Sequence, residues 1–186
     1  MSTPAPPTAA DVVTALGLIP HPEGGFFLET YRAGAPPMTS RGHTDPTGAT
    51  LTTTRTGKSD PSRNIMTSIY WMLTPTAPRG CWIRNESDHV HYHHGGDPIT
   101  YHVVDNMASP PRYYTVRLGP PGMPGTTPQV MVKGGDYKAS RLEKGGCGWA
   151  LIGEAVAPGF DVADLVLLEA EQMRHECPEA VEVRGR

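Results

Sequence analysis

The stretch 63–169 constrains the fold most. Nine short runs rich in β-branched and aromatic residues, at 65–73, 81–84, 89–94, 99–104, 112–118, 129–132, 137–141, 149–156 and 165–169, follow one another with turn residues between them. No helical period separates them, so parallel strands joined by crossover helices are excluded and an all-β sandwich or barrel is expected. The punctuation agrees. The chain holds 21 Gly and 20 Pro in 186 residues, including Pro120-Pro121-Gly122 and Gly145-Gly146, which suits many turns better than long helices.

The length is that of one domain. Residues 1–10 are Pro, Ala and Thr without periodicity and read as a disordered leader. Asp11 is expected to cap a short helix over 11–18, in which Val12, Val13 and Leu16 share a face and Gly17 with Pro20 supplies the stop. A strand is expected at 26–32. The Gly-, Pro-, Thr- and Ser-rich stretch 33–61 reads as a long loop or edge hairpin, with 49–56 either a strand or part of a lid. Residues 11–170 are taken as one domain, and 171–186 as a tail, a short helix or otherwise solvated.

The net charge is −3, and no run of Lys or Arg exists that could neutralise a phosphate backbone, so a nucleic-acid partner is not expected. Residues 1–10 lack the basic flank and apolar stretch of a signal peptide, and no apolar run is long enough to span a bilayer. A cytoplasmic protein with no membrane partner is the expectation. Cys81, Cys147 and Cys177 are odd in number and form no CxxC pair, which points to reduced thiols.

Function concentrates in Asp88-His89-Val90-His91-Tyr92-His93-His94. On a strand, His89, His91 and His93 face one side and Val90, Tyr92 and His94 the other. Four imidazoles within six residues cost more to bury than one, and such clustering marks functional sites. Two chemistries are open. His89 or His91 is suited to general acid–base work, because an imidazole titrates near neutrality. Alternatively the pair holds a divalent transition metal, with Asp97, His93 or His102 as third ligand.

A resemblance adds to this reading. The segments Leu18-Ile19-Pro20-His21-Pro22-Glu23-Gly24-Gly25-Phe26-Phe27, Thr67-Ser68-Ile69-Tyr70, Gly96-Asp97-Pro98 and Val156-Ala157-Pro158-Gly159-Phe160-Asp161 resemble, in that order and over roughly 11–170, the cupin_5 family of the RmlC-like cupin superfamily, formerly a domain of unknown function. The resemblance implies a double-stranded β-helix, a jelly-roll barrel with a small-molecule pocket in its mouth, in a homodimer. The family's pattern around the pocket runs His-Arg-x-x-Ser-Asp-Glu-x-Trp-His. Here Arg84, Ser87 and Asp88 keep it, while Ile83, His89, His91 and Tyr92 replace the others. His-x-His on a barrel strand is how metal-binding cupins generally present two ligands. Lys133-Gly134-Gly135-Asp136-Tyr137-Lys138 resembles the second cupin motif, with Lys138 where a metal-binding cupin carries its last His.

Further candidates follow. Glu23 sits before two glycines that let the backbone bend, so its carboxylate either faces the pocket or belongs to a capping turn. Arg63 and Arg84 are candidates for clamping a carboxylate or phosphate. Lys138, if inward, serves as acid, base or anion anchor, and otherwise reaches the rim. Trp71, Trp82 and Trp149 are assigned to the core, and Val156 to Phe160 to turn packing. The favoured function is therefore an RmlC-like enzyme of proton-transfer chemistry (isomerisation, epimerisation, cyclisation or elimination) acting on a small molecule. His89, His91 and Lys138 are its expected catalytic groups, with Glu23, Arg63, Arg84, His93 and His102 on the substrate. The alternatives are a metal-dependent oxygenase or decarboxylase and a non-catalytic metabolite binder.

Overall fold

A computed structural model describes residues 5–33, 52–54 and 62–182. Helix α1 (Ala9–Leu16) begins earlier than expected: Thr8 is the cap, its hydroxyl accepting from the Asp11 N–H at 3.2 Å. Asp11 closes the reciprocal bond, its carboxylate accepting from the Thr8 N–H at 2.9 Å. The acid is thus the second half of a capping box, and Gly17 ends the helix at φ 65°. The Trp149 indole donates to the Pro7 carbonyl at 3.0 Å, so the last part of the expected leader is fastened to the barrel.

Thirteen described strands follow: β1 (Ile19–Pro20), β2 (Phe26–Arg32), β3 (Thr52–Thr54), β4 (Ser62–Asn64), β5 (Thr67–Leu73), β6 (Arg79–Arg84), β7 (Asp88–Gly96), β8 (Ile99–Asp105), β9 (Arg112–Leu118), β10 (Gln129–Val132), β11 (Tyr137–Leu142), β12 (Ala150–Ala157) and β13 (Val166–Leu168). They form a six-stranded sheet in the order β1-β2-β5-β12-β7-β10 and a five-stranded sheet in the order β13-β6-β11-β8-β9, every pairing antiparallel. This is the double-stranded β-helix expected from the sequence. Of the stretch 33–61, most lies outside the described residues; within it β3 is a strand, paired with β4 just beyond the stretch as a small ribbon.

The inner faces of the two sheets enclose Leu73, Ile99, Tyr101, Val103, Leu118, Val130, Val132 and Ile152. Burial of each large aliphatic side chain stabilises the fold by about 1.5–3 kcal/mol. Outside the second sheet, helix α2 (Ala170–Glu176) and a 3-10 turn (Pro178–Glu182) press Met173, Cys177 and Ala180 onto Trp82, Val104, Tyr137 and Ala139. That tail is packed down to Ala180: its apolar residues Met173, Cys177 and Ala180 recur on one side and cover an otherwise open sheet face.

Candidate active site

Strand alternation puts His89 and His91 inside the barrel, with His91 fully buried, while Tyr92 and His94 face out. Across the ladder Glu154 of β12 pairs with His91, so both side chains leave the sheet on the same face. From the opposite sheet Lys138 of β11 points inward and is only 7% exposed. It does not reach the rim, because β11 lies between β6 and β8 and its inward side chains have no path out.

The Lys138 ammonium lies 2.7 Å from His89 Nδ1, 3.2 Å from His91 Nε2 and 2.7 Å from Glu154 Oε1. An ammonium has three N–H donors and no acceptor, so three acceptors satisfy it. His91 Nε2 accepts from the ammonium, so its neutral ring carries the proton on Nδ1, which meets the Tyr101 hydroxyl at 3.1 Å. His89 Nδ1 faces both Lys138 Nζ and Glu154 Oε1; it carries the proton when it donates to the carboxylate and leaves it on Nε2 when it accepts from the ammonium. The ring, the amine and the carboxylate thus share one hydrogen-bonding group through which a proton can move.

The charge states follow from burial and neighbours. Burial first, and the Lys138 charge second, hold His89 below the usual imidazole range and His91 well below it. Burial alone would raise Glu154, yet Lys138 and the two imidazoles outweigh it and keep this carboxyl well below the carboxylate range. Burial followed by the charges of Glu154 and Glu23 pushes Tyr101 well above its ordinary value, so its hydroxyl stays protonated.

Glu23 completes the site from the loop between β1 and β2. Gly24 and Gly25 have φ of 104° and 73°, and a Cβ on either would collide with the carbonyls of Arg79 or Met72. Only glycine allows the loop this close, where the Glu23 carbonyl accepts from the Cys81 N–H at 2.8 Å and the Gly24 carbonyl from the Trp71 indole at 3.1 Å. Burial pushes the Glu23 carboxyl up to about 7, against the pull of Lys138 and with the repulsion of Glu154. Its neighbour His21 accepts from the Glu23 N–H at its Nδ1, 3.1 Å away, which leaves its proton on Nε2 while the ring is neutral; burial lowers its pKa.

Two adjoining cavities share Glu23, Trp71 and Glu154 as walls. The inner one, about 20 Å³ against His91, Tyr101 and Lys138, has room for about one water. The outer one, about 140 Å³, has apolar walls of Phe27, Ile69, Val156 and Phe160 and polar groups from His21, Glu23 and His89. Among the described residues His89 Nε2 is buried without a hydrogen-bond partner, which a polar ligand atom would supply. Arg32 also borders this cavity, but it is spent on Glu29 at 2.8 and 2.6 Å and on Asn64 at 2.9 Å.

His89, His91 and Lys138 are therefore brought together, and Glu23 lies beside them. The other expected ligands are placed elsewhere. Arg63 makes a two-pronged pair with Asp164 at 2.8 and 3.0 Å, and Arg84 lies over the Tyr137 ring on the outer face of the second sheet; neither borders these two cavities. His102 also faces outward, its Nδ1 2.7 Å from the Tyr113 hydroxyl, because alternation along β8 sends Tyr101 and Val103 inward. His93 is only half-buried and sits beside Ile152, not Glu154. Asp97 accepts the N–H groups of Cys147 and Gly148 at 3.1 and 2.6 Å and holds a turn.

The third candidate ligand is instead Glu154. The ligand atoms of His89, His91 and Glu154 lie within 4.8 Å of one another, a spacing that could hold a metal ion. The Lys138 ammonium hydrogen-bonds to all three residues, so the donor set as it stands does not fit a divalent cation. Glu154 has a sequence signal: it is the single charge in the apolar strand Ala150–Ala157. Trp71 sits in the core as expected and also walls both cavities, while Val156 and Phe160, assigned to turn packing, line the outer one. His21 lies in the family-like segment and carries no separate signal.

The family profile Cupin_5, described as Cupin superfamily (DUF985), matches residues 10–168. The uncharacterized protein YML079W of Saccharomyces cerevisiae is 31% identical over 178 residues, covering 92% of this chain and 82% of that protein. Among solved structures, a hypothetical protein from Leishmania major superposes with a TM-score of 0.77 at 26% identity, covering 95% of this chain and 96% of its own. Protein SO0799 from Shewanella oneidensis gives 0.73 at 26% identity, covering 95% and 94%. Among the described residues, no helix is long and apolar enough to cross a membrane.

Proposed function

The chain belongs to the Cupin_5 family (DUF985) of the cupin superfamily, and within that fold we propose an enzyme that moves protons on a small organic molecule. Isomerisation, epimerisation, cyclisation and elimination all require a proton to be taken from one atom and returned to another. The observation that carries this reading is Glu23, a carboxyl that borders both the cluster of His91, Lys138 and Glu154 and the 140 Å³ cavity. Its pKa of about 7 suits a group that must both accept and donate near neutral pH.

In this reading Glu23 is the proton carrier facing the ligand. His89 presents its Nε2, which has no partner among the described residues, to a polar ligand atom, and His21 Nε2–H adds a donor. Burial and Lys138 hold the imidazoles neutral against the pull of Glu154, and their contacts with Lys138 and Glu154 fix them, so their orientation costs nothing at the moment of reaction. The aromatic walls exclude water and fit a molecule near the size of one six-membered ring, since a cavity of roughly 150 Å³ accepts benzene.

Solvent deuterium uptake tests this across many compounds at once. The protein is incubated in D₂O with a library of ring-sized hydroxy and carbonyl compounds, and carbon-bound deuterium is read by NMR and mass spectrometry. Catalysed uptake into at least one compound is expected, with a loss on the order of 100-fold or more in Glu23→Gln and His89→Ala. Uptake that persists undiminished in both variants, or absence of uptake into any compound the protein turns over, contradicts the reading.

A further inference from the structure

We infer that the Lys138 ammonium stands in the place of a divalent ion, so that His89, His91 and Glu154 form a metal site which this lysine keeps closed. The inference rests on the metal-free reading above and extends it to what the lysine is for.

The Nζ is within 2.7–3.2 Å of a donor atom on each of the three residues, whereas a bound transition metal would sit about 2.0–2.2 Å from the same kinds of atom. The ammonium thus spans the common centre of the triad at hydrogen-bonding radius. A divalent ion entering beside it would place three positive charges against the single Glu154 carboxylate in a buried space. Nor can the lysine withdraw easily, because its backbone is paired to Ile83 on one side and Val103 on the other. The segment Lys133 to Lys138 resembles the second cupin motif, and the resemblance implies a histidine at this place in a metal-binding cupin. One substitution therefore separates the built-in cation from a bound one: removing the charge leaves three ligands, and adding an imidazole supplies a fourth.

The wild type, Lys138→Ala, Lys138→His and Lys138→Arg are expressed with and without added zinc or cobalt. Metal content is read by inductively coupled plasma mass spectrometry, and affinity by calorimetry with Zn²⁺. Cobalt absorption reports coordination. Wild type and Lys138→Arg should carry no stoichiometric metal. Lys138→His should take up about one equivalent of zinc with affinity at least roughly tenfold above wild type, show the visible bands of tetrahedral cobalt, and lose both when His89→Ala is added. Lys138→Ala should fall between them and stands in if the histidine variant does not fold by circular dichroism.

Wild-type protein that holds one equivalent of metal, released by His89→Ala, overturns this inference and the metal-free reading together. Folded Lys138→His and Lys138→Ala that bind zinc no better than wild type overturn this inference alone, while deuterium uptake continues to test the proton-transfer reading separately.

Discussion

The two ends of strand β7 carry the same side chain in different circumstances. At one end His89 and His91 are buried, with Lys138 facing them across the barrel and Glu154 beside them on the neighbouring strand. At the other, His93 is half-buried near the Asp97 carbonyl at a long 3.4 Å, and His94 lies exposed with its ring edge against Tyr70. The chemistry of a histidine run is thus set by what the facing strands supply. A titratable neighbour turns an imidazole into part of a proton network, whereas an aliphatic one leaves it to pack.

The largest effect that sharpens this contrast is expected from Glu154→Ala. It leaves a buried ammonium without its counter-charge, which typically costs about 3–5 kcal/mol. His93→Ala, at the other end, should cost under about 1 kcal/mol. Urea unfolding of the two variants at pH 7 reads the difference. Similar losses at both ends would erase the distinction.

A smaller effect separates the two glutamates by sign. Glu23 has a raised folded-state pKa, about 7 against 4.5 unfolded, so the folded state holds the extra proton and the stability this brings is present at low pH and lost as pH rises through 7. Glu154, held low, contributes stability above its unfolded value and loses it as acid protonates it. His89 and His91, also held low, cost stability as pH falls below about 6.5, where only the unfolded imidazoles take up protons. Glu23→Gln should therefore be more stable than wild type at pH 9 by about 2–3 kcal/mol and show no such gain at pH 4. A gain independent of pH would mean that packing, not charge, is responsible.

Much of the fold is legible in the sequence because period-2 patterning and turn residues are local signals: every strand expected within 65–169 is present. The inward face of His89 and His91 is legible for the same reason. Which residues meet them is not, since Lys138 and Glu154 lie 49 and 65 positions from His89, and their approach, from the opposite sheet and from the neighbouring strand, depends on sheet order. Arg63, Arg84, His93, His102 and Asp97 look as reactive in sequence as the residues of the cluster. Their placement turns on strand orientation and on partners such as Asp164 and Tyr113, which no local pattern encodes. Thr8 is hidden as the helix cap because Asp11 offers the same chemistry three residues later.

The proposed function has Glu23 carry protons beside an ionised Glu154. Side-chain ¹³C labelling of glutamate, followed by NMR from pH 4 to 9, tests it most directly, with Glu23→Gln and Glu154→Gln assigning the two resonances. The Glu23 carboxyl is predicted to titrate with a midpoint near 7 while the Glu154 resonance stays at its ionised position throughout. A Glu23 midpoint near the ordinary 4.5, or a Glu154 carboxyl that takes up its proton in that same range, would contradict it.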